Sequence, residues 1–457
     1  MRKILSSLLL AVALTAGAQN EMQATVELSF PVDRGIGGPT FITYKGETIV
    51  PAFNDDKKAT VLLPCNDFAY CWLTYKRSRL LLYIEGGKQV KVSNYLDGND
   101  LKLRIEGDNT DINAFLNGSE TIHAGENEYA LIYSHFKDAL KRLYLKNDSV
   151  VSKTDIPDGY KEKEEKRLEL QKKLCMAAYY TFHNRIMEER HSDSPSATIP
   201  HDYYQELESI LADNDQLLIY PDYIDFNKLA VLAIVQNDKK EITQSQVISD
   251  YAQYVVSHFH SPLTRQILLN VVITPYIDSQ GLEGLEKVDL IFRSNVTDNN
   301  ILSLYQKAYE KWSRLLPGQP FPDFSFKDIN GQVFTKEDFK GKVVYMDLWA
   351  TWCPPCCAEI PYMNRLVKEF EHVRNIAFVS ISIDKDAEAW KKKIAEKHMG
   401  GIQLLAGPTC FLMEYTNKTA IPHYLIIDKE GNFIDADAPH PSDPDITEQL
   451  KKDLSKF

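Results

Sequence analysis

Three hydrophobic textures succeed one another along the chain. From about residue 23 to 106, apolar and polar residues alternate in short runs ("ATVELSF", "TFITYKGETIV", "ATVLLP", "CWLTYKR", "LLLYIEGGKQVKVSN", "LKLRIEG") parted by Gly, Asn and Asp. A period of two with such punctuation predicts strands, and hence a small all-β domain. From about residue 113 to 316 the period lengthens, with Tyr129, Ile132, Tyr133, Phe136, Leu140, Leu143 and Tyr144 at steps of three and four. That spacing predicts helix. Further helices are expected over residues 161–189, 203–212, 244–258 and 299–315, giving an all-helical middle domain. The charge run "KEKEEKR" at residues 161–167 reads as a solvated helix face.

"PGQPFPDF" at residues 317–324 is a proline-spaced linker, and beyond it strand and helix patterns alternate. Residues 343–349 are apolar except for Asp347, as in a strand buried on both faces. Helix follows over 353–370, a second buried strand in "IAFVSISID", helix over 387–397, and a hairpin of 424–427 with 433–436. Asp443-Pro444 opens a last helix running to residue 456. The expected fold class is therefore an α/β C-terminal domain preceded by a small all-β domain and an all-helical middle domain.

The N-terminus refines the boundaries. Arg2 and Lys3, an apolar stretch from Ile4 to Leu14 and Ala16-Gly17-Ala18 form a signal peptide with a small-residue cleavage site. Its apolar stretch is too short for a membrane span, so cleavage and a soluble, exported, periplasmic protein are expected. The expected parts are 1–18 (signal peptide), 19–110 (β), 111–316 (helical) and 317–457 (α/β). Losing Arg2 and Lys3 takes the formal charge from −12 to −14, which with no basic block offers nucleic acid no footing.

Export changes the meaning of cysteine, and "WATWCPPCCAEIP", residues 349–361, holds three of the seven cysteines. They fall where a buried strand turns into a helix. There, unpaired N–H groups and the helix dipole favour the thiolate, the nucleophile of disulfide exchange, at Cys353. Pro354 and Pro355 lack the N–H groups that a first turn leaves unpaired, so the turn is preformed. Cys356 lies three residues on and Cys357 four, and helix geometry lets either meet Cys353. Two carboxylates are placed for acid–base work: Asp347 within the apolar strand, where burial should raise its pKa, and Glu359 on the cysteine-bearing helix just before Pro361.

With these residues in view, the segment from about 317 to the C-terminus resembles the TlpA/ResA-like exported thiol-disulfide oxidoreductases of the thioredoxin superfamily. The matching features are "PGQPFPDF" with a hairpin around Asn330-Gly331, "LWATWCPPC", "AEIP", and "IPHYLIID" with "KEGNF". The resemblance implies a thioredoxin-like fold, no cofactor and no metal, and Cys353–Cys356 as the redox-active disulfide. It also implies Glu359 and Asp347 as acid–base groups. Trp352, Pro354, Pro355 and the cis pair Ile421–Pro422 would form the substrate-facing edge. Partners would be exported proteins with disulfides and a membrane or periplasmic thiol donor, with reduction as the expected direction. His423 departs from the threonine usual after the cis-proline. The first 300 residues resemble the variable β and helical extensions of exported Bacteroidetes proteins, without implied residue roles.

Cys357 reads as a bystander. The alternative, a Cys353/Cys357 pair with His440, resembles the copper-binding Sco proteins. A thiol peroxidase would place threonine three residues before its reactive cysteine, whereas Thr351 is two before Cys353. A third alternative is a ligand-binding protein whose CxxC only staples the fold; a staple resists mild reductants, whereas an active pair exchanges readily. Cys65 and Cys71, six apart, are candidates for a structural disulfide, while Cys175 and Cys410 read as core residues.

Overall fold

The computed structural model describes residues 22–32, 40–118, 124–153, 156–189, 199–237, 242–418 and 420–456. The expected signal peptide lies outside them. The described chain forms two compact units, one of residues up to Ile273 with Gly284–Ile301, the other of Thr274–Glu283 with Leu302–Phe457.

The first unit opens with β1 (Gln23–Ser29), β2 (Thr40–Tyr44), β3 (Glu47–Ile49), β4 (Lys58–Pro64), β5 (Phe68–Tyr75), β6 (Ser78–Glu85), β7 (Gln89–Asp97) and β8 (Asp100–Gly107). They make two four-stranded sheets, ordered β4-β1-β7-β8 and β3-β2-β5-β6. Alternation along β1 and β4 puts Val26, Leu28, Val61 and Leu63 into a core that also takes Ile42, Cys71, Leu73 and Leu82 from the other sheet. Cys65 and Cys71 are buried in that core as separate thiols, so the candidate disulfide between them is not formed. Burial pushes Cys71 up to about 12 and raises Cys65 as well, so neither thiol is activated.

Helices follow: α1 (Thr110–Asn117), α2 (Glu126–Tyr129), α3 (Tyr133–Lys153), α4 (Asp158–Glu189), α5 (His201–Ile210), α6 (Asp222–Gln236), α7 (Gln244–His258), α8 (Pro262–Gln280), α9 (Glu286–Asn295) and α10 (Asn299–Ser313), of which α8 from Thr274 and α10 from Leu302 fall in the second unit. The run from Tyr129 is thus two helices, α2 and α3, separated by a turn. Helices α6, α8 and α9 were not anticipated. In α6, buried residues such as Ile224, Phe226, Ala230 and Ala233 fall on several sides, and that erases the amphipathic signal. The "KEKEEKR" run is only partly solvated, since Glu164 and Arg167 are both buried.

The second unit contains β9 (Ser325–Asp328), β10 (Val333–Thr335), β11 (Val343–Trp349), α11 (Pro354–Glu369), β12 (Ile376–Ser382), α12 (Ala387–Lys397), β13 (Ile402–Leu405), α13 (Phe411–Tyr415), β14 (His423–Ile427), β15 (Phe433–Asp435) and α14 (Ile446–Lys456). Its sheet runs β10-β9-β13-β12-β11-β14-β15. Strands β11, β12 and β13 are parallel, and β14 is antiparallel to β11. One face packs Met363, Leu366 and Phe370 of α11 and Ile446 and Leu450 of α14 over Tyr345 and Tyr424. The other packs Phe321, Phe324, Cys410 and Leu412 over Met346, Leu348 and Leu425. The α/β expectation for this segment holds, with three differences: β13 and α13 were not anticipated, and α14 begins at Ile446 rather than directly after Pro444.

Candidate active site

Strand β11 is buried at all seven positions and ends at Trp349, at the C-terminal end of this interior strand. Residues 350–352 then turn into α11, whose N-cap is Cys353 and whose first two residues are Pro354 and Pro355. The turn is clamped by a group the sequence did not reveal. Thr351 donates its N–H and O–H to the Asp384 carboxylate at 2.9 and 2.7 Å, and Ser382 Oγ donates to the same carboxylate at 2.7 Å. Its one signal was an acid just after the buried "IAFVSIS" strand. From below, Trp390 and Ile394 of α12 pack against Trp349, Ala350, Cys353 and Cys356.

Cys353 and Cys356 are joined in a disulfide, with Cα atoms 5.3 Å apart. The Cys356 N–H donates to Cys353 Sγ at 3.3 Å, so the helix N-terminus is directed at this sulfur. Cys357 stays outside the bond, its thiol donating to Thr351 O at 3.6 Å. The Thr351 hydroxyl is taken up by Asp384 rather than by a sulfur. Among the described residues no group of three or more His, Cys, Asp or Glu is placed to hold a metal ion.

The Ile421–Pro422 bond is cis, and Ile421 O lies 3.6 Å from Cys353 Sγ. Trp352 is 64% exposed beside the pair, and Pro354 and Pro355 are exposed too, so these residues are available to a partner rather than packed inside. His423 is buried, with Nδ1 3.5 Å from Asp437 and Nε2 without a partner. The hydrogen bond from His423, helped by Lys418, holds Asp437 down at about 2.

The two carboxylates have different surroundings. Asp347 is buried on the face of β11 that α11 covers, with Oδ1 unpartnered. Burial pushes its carboxyl up to about 7 despite a hydrogen bond from Ser380. Glu359 is half-buried and tethered, accepting the Ser442 N–H at 3.0 Å and its hydroxyl at 2.8 Å. His440 Nδ1 stands 3.7 Å from the same carboxylate. Residues 439–442 are further held by Tyr345 O–H to Pro439 O at 2.6 Å. Burial first, and then the charges of Asp347 and Glu359 among others, raise Tyr345 and Tyr424, whose rings stack at 5.7 Å.

Comparison with known proteins finds relatives of the C-terminal segment. A family model described as Redoxin matches residues 316–450. The thioredoxin-like protein YneN of Bacillus subtilis (strain 168) is 31% identical over 129 residues, 28% of this chain and 75% of YneN. The chain belongs to the TlpA/ResA-like thioredoxin superfamily. The thiol-disulfide oxidoreductase ResA of Bacillus cereus is 27% identical over 150 residues, 33% of this chain and 86% of ResA. A crystal structure of the thioredoxin domain of a thiol-disulfide oxidoreductase from Bacteroides vulgatus is 26% identical, covering 30% of this chain and 97% of that one, with a TM-score of 0.28. The C-terminal segment of this chain is a thioredoxin-like thiol-disulfide oxidoreductase.

Proposed function

We propose that this thioredoxin-like protein acts in the periplasm as a reductase of disulfides in other exported proteins, using Cys353 and Cys356 of its CPPC motif. The observation carrying the reading is the disulfide at the α11 N-terminus, with the Cys356 N–H on Cys353 Sγ and Cys357 engaged elsewhere. In the reduced protein the Cys353 thiolate attacks a substrate disulfide, forming a mixed disulfide and releasing one substrate thiolate. Cys356 then attacks Cys353 Sγ, releasing the second substrate thiolate and leaving the observed disulfide. A membrane or periplasmic dithiol restores the reduced pair. Trp352, Pro354, Pro355, Ile421 and Pro422 offer the docking edge, where exposed apolar surface meets a backbone carbonyl near the nucleophile. Export rests on the N-terminal charge and hydropathy pattern.

Direction is tested by the equilibrium potential against glutathione. A value at or below about −230 mV is expected, and one near about −120 mV would make the protein an oxidant instead.

Glu359 is proposed to move the proton at the resolving step. Glu359→Gln keeps an oxygen to accept from Ser442 but removes the charge facing His440. It is expected to preserve the fold and the disulfide, to shift the pH dependence of exchange, and to slow it about ten-fold to a thousand-fold. An unchanged rate across about pH 5 to 9 would remove Glu359 from the mechanism.

A further inference from the structure

The buried charges of the "KEKEEKR" run have a neighbour. Beside them, within the first unit, lies a cavity of about 300 Å³ whose walls come from β5, β6, α1 and α4. That is the small end of the range for ligand pockets, about 300–1,000 Å³. Arg79 and Arg167 line it together with Gln171, Trp72, Leu81 and Leu116, and no described carboxylate does. The lining carries two guanidinium groups and no acid, although Arg167 is ion-paired with Glu164 outside the lining.

Each arginine is held in place. Arg167 is 2% exposed, and Glu164 grips it through Nε at 2.8 Å and Nη2 at 2.5 Å. Its Nη1 is 4.0 Å from Asp222, beyond hydrogen-bond range, and Asp222 Oδ2 is buried without a partner. Arg79 is exposed and lies flat over the Trp72 ring at 4.1 Å. Both guanidinium groups line the same cavity; burial raises the Asp222 carboxyl, and the charges of both act to lower it. Stability alone does not explain a buried ion pair, because an apolar replacement of similar volume often serves as well. Rigid guanidinium forks at a cavity wall suit recognition of carboxylate or phosphate.

We propose that this cavity binds a small organic anion, its carboxylate or phosphate group facing Arg79 and Arg167 and its apolar part lying against Leu81 and Leu116. The site is separate from the disulfide chemistry and gives the first unit a ligand-binding role.

Isothermal titration of the full chain at low salt tests this with three probes of similar shape: phenylphosphate, phenylacetate and uncharged phenylacetamide. Saturable binding of at least one anion is expected, and none of the amide; the tighter anion tells phosphate from carboxylate recognition. Arg79→Gln, at an exposed position, should weaken binding about ten-fold or more. Gln171→Glu, which puts a carboxylate into the lining, should abolish it. Melting curves verify that both variants are folded, and Arg79→Gln alone decides the matter if the other is not. Arg167 is left intact because its removal strands Glu164 as a buried unpaired charge. The proposal is overturned if neither anion binds below about 10 mM, if the amide binds equally well, or if Arg79→Gln binds like the parent.

Discussion

Cys353→Ser is expected to abolish reduction of insulin disulfides, whereas Cys356→Ser is expected to accumulate as a mixed disulfide with its substrate through Cys353. The asymmetry follows from position. Cys353 is the N-cap of α11, where the N–H of Cys356 and the helix dipole stabilise negative charge on sulfur. Both cysteines are buried, Cys353 at 5% and Cys356 at 3% exposure, so it is position that separates them: Cys353 is the helix N-cap, and Cys356 lies one turn inside, placed to attack Cys353. Without it, the mixed disulfide has no internal route to resolution. Cys357 is half-buried and bonded to Thr351 O, so Cys357→Ser should reduce insulin at close to the parental rate. Mass spectrometry of trapped adducts checks the assignment, and an adduct from Cys357→Ser but none from Cys356→Ser would reverse it. Both Cys353→Ser and Cys356→Ser should melt near the parental temperature, because a CxxC bridge closes too short a loop to contribute much chain entropy. A large loss of melting temperature in either would make the bridge a structural staple.

The second large effect is expected at Asp347. Its carboxyl sits near 7 in the folded chain against an ordinary value of 3.8, burial being the main cause. An acid with a raised folded pKa holds its proton more tightly when folded. Between about pH 4 and 7 the folded state therefore binds more protons than the unfolded state, and stability falls as pH rises. Above about pH 7 the full penalty applies, up to about 4 kcal/mol for a shift of about three units. Asp347→Asn removes the titration. Its melting temperature should match the parent near about pH 4 and exceed it by several degrees near about pH 8. Asp347 is the alternative to Glu359 as the acid of the resolving step; if it carries that role, the variant slows turnover about ten-fold to a thousand-fold and flattens the rate profile around neutrality. Melting curves that stay parallel from about pH 4 to 8 would mean that Asp347 does not titrate there. Parental turnover at about pH 7 would leave the role to Glu359.

Much of the second unit was legible because its signals are local. The unbroken apolar run of β11 announces a strand buried on both faces, Pro354 and Pro355 announce a helix start, and Cys353 stands between them. Asp347 was conspicuous for the same reason, as the one polar residue in that run. The first unit was legible wherever a single face is buried, as in the alternation of β1 and β4. Helix α6, apolar on several sides, carried no such stripe, and the short β13 strand "IQLL" did not stand out beside the loop that follows it. The "KEKEEKR" run misled in the opposite direction, because charge ordinarily marks solvent. Glu164 and Arg167 are buried as an ion pair, each compensating the other's charge.

The sequence by itself determined where the proposed nucleophile, Cys353, would sit, since a strand end, two prolines and a cysteine act within one turn of chain. It left open whether Cys356 or Cys357 closes the bond, as both spacings bring a side chain to the same face. The tertiary structure decided that, and it decided every contact between distant segments: Asp384 on Thr351, Ser442 on Glu359, Arg79 beside Arg167. Propensity and hydrophobic period act over a few neighbouring residues. Which loop side chain meets which carboxylate depends on how complete elements pack, and that information is spread over the whole core.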